Sequence, residues 1–136
     1  MADTRRQTIL KAVADLVENA KVCKTVERMH PNPWEVANPP AALIYPRWQK
    51  KSPAPDDQVG SELSVVIAVI VEGPNLQDAL EPVLTAVEGA INADPSLGGT
   101  VDDSRITDVQ FELVEITAPR AGAYVFIECD YDEPRS

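Results

Sequence analysis

Residues 62–72 read ELSVVIAVIVE, and this stretch decides the fold. In an extended strand, successive residues point to opposite faces. Here one face is apolar throughout, and three positions of the other face are apolar as well. The first set is Leu63, Val65, Ile67, Val69 and Val71, and the second is Val66, Ala68 and Ile70. This pattern predicts a central β-strand that is covered on both faces over part of its length, by helices or by a neighbouring subunit.

Segments whose apolar residues have helical spacing lie both before and after this strand in the sequence. Gly73 and Pro74 end the strand, and a run of apolar positions then predicts a helix: Leu76, Leu80, Val83, Leu84, Val87 and Ile91. Pro82 lies inside that run and predicts a kink or a later start, because proline lacks a backbone donor. Near the N-terminus, Thr4 or Asp3 can cap a second amphipathic helix with apolar residues at Ile9, Leu10, Val13, Leu16, Val17 and Ala20.

Four further segments are typical of strands. Residues 22–29 and 42–45 are short apolar or β-branched runs, and Arg105–Thr117 with Ala121–Tyr131 alternates as a hairpin would. The predicted fold class is therefore α+β, with a mixed, mostly antiparallel sheet of about five strands packed with two main helices. We expect one domain over residues 1–136 and a C-terminal DEPRS tail that frays.

The segment from residue 46 to 60, PRWQKKSPAPDDQVG, contains three prolines, a basic cluster and an acidic pair without periodicity. It predicts a long, exposed, Pro-rich loop. A tryptophan beside basic residues is common at the energetic centres of protein interfaces, although a second tryptophan in another Pro-rich stretch could also fold back on the core. The predicted partner-binding residues are Arg47, Trp48, Lys50, Lys51 and Trp34.

The composition of the chain argues against several classes of function. The chain of 136 residues carries 12 Lys and Arg against 22 Asp and Glu, a formal net charge of -10, which argues against sequence-independent binding of nucleic acid. The longest apolar run, Val65 to Val71, is too short to span a bilayer, and no apolar signal segment follows the charged N-terminus. We expect a soluble protein that is not exported by a classical signal and has no membrane partner.

Candidate catalytic and metal-binding groups are few. The chain has one histidine, His30, and its two cysteines, Cys23 and Cys129, lack metal-ligand spacing and are expected to be small buried residues of a reducing compartment. Nucleotide-binding loops and nucleophile motifs are absent from the sequence. Gly98-Gly99 is typical of a turn that ends a helix, and the nearby aspartates, Asp94, Asp102 and Asp103, lack the spacing of a calcium loop. We therefore expect no enzymatic activity, no cofactor and no metal site.

Three segments carry a resemblance to a known family. They are LQDALEPVLTAVEGAINADPSLGGTV at 76–101, the stretch from Ile106 to Ile116, and the final YVFIECDY at 124–131. In this order, after an N-terminal helix and a Pro-rich stretch, they resemble the tail terminator, or tail completion, proteins of long-tailed bacteriophages and gene transfer agents. The most specific piece is the turn from Ala93 to Gly99.

The resemblance implies a non-enzymatic virion protein. Such proteins form a homohexameric ring that caps the tail tube, ends its polymerisation and joins the head connector, while DNA passes through the ring without specific binding. The implied location is the tail-neck junction, after assembly in the host bacterial cytoplasm. The segment from Arg47 to Gln58 matches the family's extended loop, and Asp94, Leu97, Gly98 and Gly99 match its turn.

Other functions remain open at this point. A head-tail adaptor or neck protein of the same virion would bind the connector instead of ending the tube. An acidic module that mimics DNA would bind a basic partner in a salt-sensitive manner, as the charge of -10 permits. A small hydrolase is the weakest alternative, since the sequence offers no convergent set of acids.

Overall fold

The computed structural model describes residues 4–28, 38–115 and 119–134. Within these ranges the chain forms two helices and five strands: α1 (Arg5–Asn19), β1 (Thr25–Arg28), β2 (Ala41–Pro53), β3 (Gln58–Glu72), α2 (Leu76–Asn92), β4 (Asp103–Glu115) and β5 (Pro119–Pro134). The strands form one sheet in the order β1-β2-β3-β5-β4. β1 is parallel to β2, and the other neighbours are antiparallel. The α+β class with a mixed, mostly antiparallel sheet is confirmed.

Helix α1 begins with a capping box, in which Thr4 and Gln7 satisfy each other's backbone donors. Thr4 Oγ1 accepts a hydrogen bond from the Gln7 amide at 3.2 Å, and Gln7 Oε1 accepts one from the Thr4 amide at 2.8 Å. The predicted apolar stripe is buried against the sheet at Ile9, Leu10, Val13 and Val17. Thr4 is therefore the capping residue of this helix.

Helix α2 runs through Pro82 and ends in the predicted turn. Asn75 caps it at Leu76, six residues before the exposed proline, so the later start does not occur. After the helix, the Asp94 carboxylate accepts hydrogen bonds from the Gly98 amide and from Ser96 Oγ, both at 2.9 Å. Gly98 and Gly99 have φ values of 69° and 82°, which glycine adopts without the steric penalty of a Cβ.

The two faces of the sheet differ in what covers them. On the helix-covered face, α1 and α2 pack on Leu63, Val65, Ile67, Val69 and Val71 of β3. On the opposite face, which we call the open face, the smaller apolar cluster contains no helical residue among those described. It consists of Ala41, Leu43, Ala68 and Ile70, with Tyr45 and Tyr124 packed against it. The expected burial of β3 on both faces is confirmed, since Leu63 to Val71 are all buried, but within the described residues helices cover one face only.

The predicted loop over residues 46–60 is wrong, because most of that segment belongs to a hairpin of β2 and β3. The connection is residues 54–57, where Asp56 and Asp57 adopt left-handed φ values of 59° and 58°. Pro46 is tolerated because β1 pairs only with Ala41–Ile44, so the described strands leave that side of β2 free beyond this point. A β-bulge at Arg47 then shifts the register between Pro46 and Trp48, which interrupts the two-residue alternation that identifies a strand.

Three smaller differences concern strand ends. β1 begins at Thr25, three residues later than predicted, and the other end of the predicted strand, Met29, lies outside the described residues. β5 continues to Pro134 and pairs there with Gln58, so Asp132 to Pro134 belong to the sheet and not to a fraying tail. His30 and the turn of the β4-β5 hairpin lie outside the described residues.

Candidate functional site

The structure brings three of the predicted partner-binding residues together. The bulge makes Arg47 an extra residue in β2, and its Nε donates a hydrogen bond to Ser64 Oγ on the open face at 3.2 Å. The register then places Trp48 opposite Ser64 and Lys50 opposite Glu62, on the same face. Trp34 lies outside the described residues.

These side chains form a stack with Phe126 of β5. The guanidinium carbon of Arg47 lies 4.4 Å from the centroid of the Phe126 ring and 5.8 Å from that of Trp48. Lys50 Nζ lies 4.8 Å from the Trp48 ring. We call Arg47, Trp48, Lys50 and Phe126 the cation–aromatic stack. Each such contact contributes roughly 0.5–1 kcal/mol at an exposed site, so together they restrain side chains that would otherwise move freely.

An ion-pair cluster lies beside the stack on the open face. Arg105 of β4 contacts Asp130 at 2.7 Å and Glu128 at 2.9 Å, and Glu62 lies 3.9 Å from the same guanidinium. Its hydrogen bond with Asp130, supported by the charges of Asp130 and Glu128, raises the pKa of Arg105 above its ordinary value. One guanidinium therefore faces three carboxylates, and basic and acidic groups alternate across this part of the face.

Lys51 does not join the stack. Its Nζ lies 3.3 Å from Glu133 Oε1 on the other side of the hairpin, and Ser61 Oγ donates a hydrogen bond to the same carboxylate oxygen at 2.9 Å. The adjacent Gln49 accepts a hydrogen bond from Arg6 at 3.0 Å and donates one to Tyr131 Oη at 3.0 Å. This side of the hairpin is therefore tied to α1 and β5.

A second surface, at β4, was not predicted from the sequence. Phe111 and Leu113 alternate as core residues would, yet their exposures are 63% and 74%. They line a shallow groove of about 440 Å³ between β4 and the first turns of α2, together with Leu76, Leu80 and Ala121. We call this the edge groove. No sequence signal distinguished it, because the alternation in β4 is the same whether or not a helix covers the strand.

The groups that could support chemistry are dispersed. Among the described residues, no three His, Cys, Asp or Glu side chains are grouped so that they could hold a metal ion. Cys23 and Cys129 are free, and burial raises the pKa of their thiols to about 11 and about 12. The described helices include none that is long and apolar enough to cross a membrane.

Comparisons with known proteins include a weak structural similarity. No protein-family model matches the chain, and no curated protein matches it. A chain in a solved structure titled "Virion of native gene transfer agent (GTA) particle" is similar over 91% of this chain and 90% of that chain. The sequence identity is 16% and the TM-score is 0.38, so the function has to be argued from the residues themselves.

Proposed function

We propose that this protein is a virion structural protein that acts as a tail terminator. Copies form a ring, expected to be a hexamer, on the last ring of the tail tube. The ring ends tube polymerisation and offers its other side to the head connector. The protein works at the tail-neck junction without a cofactor and without catalysing a reaction.

The cation–aromatic stack is the observation that carries this proposal. Trp and Arg are the residues that dominate protein-protein binding energy, and here Trp48 and Arg47 lie on the open face of a β-hairpin. Because Arg47 is held by Ser64 and Phe126, part of the entropy cost of ordering it is met before a partner binds. The surface is therefore suited to grip a neighbouring protein, either the tube or the next copy in the ring.

The charge of the chain fits the passage of DNA. Six copies at -10 each would carry a formal charge of -60. A ring of that charge repels the phosphate backbone, so DNA would pass through without specific binding. The sequence resemblance in segments 76–101, 106–116 and 124–131 supports the same assignment.

The proposal is tested by disrupting the gene in a strain that produces the particles and measuring tail lengths by electron microscopy. We expect overlong tail tubes, because nothing ends their growth. Tails of normal length that are not attached to heads would instead assign the protein to the head-tail adaptors. Unchanged, fully joined particles would exclude both roles.

Complementation with variants then tests the stack. We expect complementation with Trp48→Ala to give at least about tenfold fewer particles with normal tails than complementation with the wild type. This is the size of effect expected from losing an interface hot spot. Thr85→Ala, at an exposed position of α2, is the control and should complement fully. Circular dichroism and thermal unfolding of both purified variants separate loss of contact from loss of fold. A folded Trp48→Ala variant that complements like wild type would contradict the role of the stack.

A further inference from the structure

The edge groove lies on an end strand of the sheet. Among the described strands, β4 is at one end of the order and pairs only with β5, so its outer backbone groups are available to another strand. Charged residues and a β-bulge between Ile106 and Asp108, which are common protections of such an edge, lie on the same strand. Phe111 and Leu113, at 63% and 74% exposure, are the large apolar side chains left exposed in the described part of the chain. Their joint position in a groove marks a contact surface.

The rim of the edge groove is acidic. Glu81 and Glu112 line the groove, and Asp103 and Asp108 are exposed further along β4. Arg105, the basic residue on the same strand, is engaged by Glu128 and Asp130. Pairing of two β4 strands related by a twofold axis would bring acidic residues against acidic residues, which disfavours a symmetric contact.

The complementary surface lies at the opposite end of the same sheet. β2 beyond Ile44 is free on its outer side among the described strands, and its exposed basic side chains include Arg47 and Lys50, whereas Lys51 is paired with Glu133. One end of the sheet therefore has an acidic rim around an apolar groove, and the other has the basic side chains of Arg47 and Lys50 beside a strand edge that no described strand covers. A contact between two different surfaces of identical subunits is heterologous, and it closes into a ring when the rotation allows.

We propose that the edge groove, with Phe111 and Leu113, binds the basic outer edge of β2 from a second copy of this chain. This deepens the proposed function, on which it rests, by naming the two surfaces that join neighbours in the ring. Burial of the apolar groove supplies affinity. The opposite charges favour contact of a groove with a β2 edge over contact of two like surfaces.

The test uses the full chain and two variants, each of which removes one of the two surfaces. Leu113→Lys changes the groove and leaves the β2 edge intact, whereas Lys50→Glu changes the β2 edge and leaves the groove intact. Both side chains are exposed, so both variants should fold. The matched controls are Thr85→Lys and Lys21→Glu, which make the same kinds of charge change at exposed positions outside both surfaces. Sedimentation velocity from micromolar to millimolar protein measures the association.

We expect the wild type and both controls to self-associate, and each variant alone to associate at least about tenfold more weakly. When the two variants are mixed, the intact groove of one should bind the intact edge of the other, giving one-to-one pairs and no larger species. Higher salt should weaken the wild-type contact, since it screens the charges.

Several results would overturn the inference. They are a wild type that is monomeric at all concentrations, association of Lys50→Glu equal to wild type, and a mixture of the two variants that does not pair. If Leu113→Lys does not fold, Phe111→Lys takes its place in the same comparison. If the contact between the groove and the β2 edge is disproved but gene disruption gives overlong tails, the terminator role stands. If gene disruption leaves tails of normal length, the terminator role is excluded, whether or not the two surfaces bind each other.

Discussion

Val65 and Val66 are adjacent in β3, but they are buried in different ways on the helix-covered face and on the open face. On the first, Val65 packs in the large core with α1 and α2. On the second, Val66 lies between Tyr45 and Phe126 of the neighbouring strands, and Phe126 lies under the guanidinium of Arg47. The first face is held by close packing, and the second by rings and charges that also reach solvent. Stability is therefore concentrated on one face, and the cation–aromatic stack proposed to bind a partner lies on the other.

The largest expected effect comes from a matched pair of substitutions across the two faces. Val65→Ala should lower the free energy of unfolding by about 2–3 kcal/mol, because rigid helices leave a cavity that cannot close. Val66→Ala should cost roughly half as much, since Tyr45 and Arg47 can move into the space. Urea denaturation measures both values. Equal losses, or a larger loss at Val66, would show that the open face is packed as rigidly as the other.

A smaller effect concerns pH and belongs to the helix-covered face. The Cys129 thiol is fully buried there, and burial raises its pKa from 9.0 to about 12. Between these two values the unfolded chain loses the proton and the folded chain keeps it. The contribution to stability is thus complete below pH 9 and is lost as the pH rises toward 12.

We expect the free energy of unfolding to fall by about 1 kcal/mol from this thiol between pH 8 and pH 10. Cys129→Ala should be less stable at pH 8 but should lose less on going to pH 10, as measured by urea denaturation at both pH values. Cys23, with a pKa of about 11, adds a change of the same sign in both proteins and does not affect the comparison. An identical pH dependence in the variant would contradict the assignment.

The smallest effect concerns salt and belongs to the open face. Arg105→Gln removes the ion pairs with Glu128 and Asp130, and because these groups are partly exposed the loss should be below about 1 kcal/mol. The difference between variant and wild type should shrink further at high salt, since exposed charges are screened. Urea denaturation at low and high sodium chloride checks this. A large loss that does not depend on salt would mean that Arg105 acts by packing.

Much of the fold could be predicted because its signals are local. The double alternation from Leu63 to Val71 identified the central strand, and the spacing from Leu76 to Ile91 identified α2. The strand from Pro46 to Pro53 could not be identified, because a proline and a bulge at Arg47 interrupt the period and the charged residues resemble those of a loop.

The candidate site could be predicted only in part, for a related reason. Arg47, Trp48 and Lys50 could be chosen by residue type, but Phe126, on which Arg47 stacks, comes from β5 and is distant in sequence. The exposure of Phe111 and Leu113 depends on how far α2 reaches over β4, which no local pattern contains. Lys51 was grouped with the others by sequence proximity, whereas its position in the pleat directs it to Glu133.

The bulge at Arg47 also limits how the length of this hairpin can change. Side chains alternate between faces with a period of two, and the bulge absorbs Arg47 so that the pairing resumes at Trp48 with the next residue of β3. Loss of Arg47 alone would therefore remove the bulge and leave Trp48 opposite Ser64 and Lys50 opposite Glu62, so both side chains would stay on the open face. A deletion of one residue between Trp48 and Lys50, which no bulge absorbs, would instead move Lys50 to the opposite face. The length of β2 can thus change by one residue at Arg47, whereas beyond it only an even change keeps the side chains of the stack on one face.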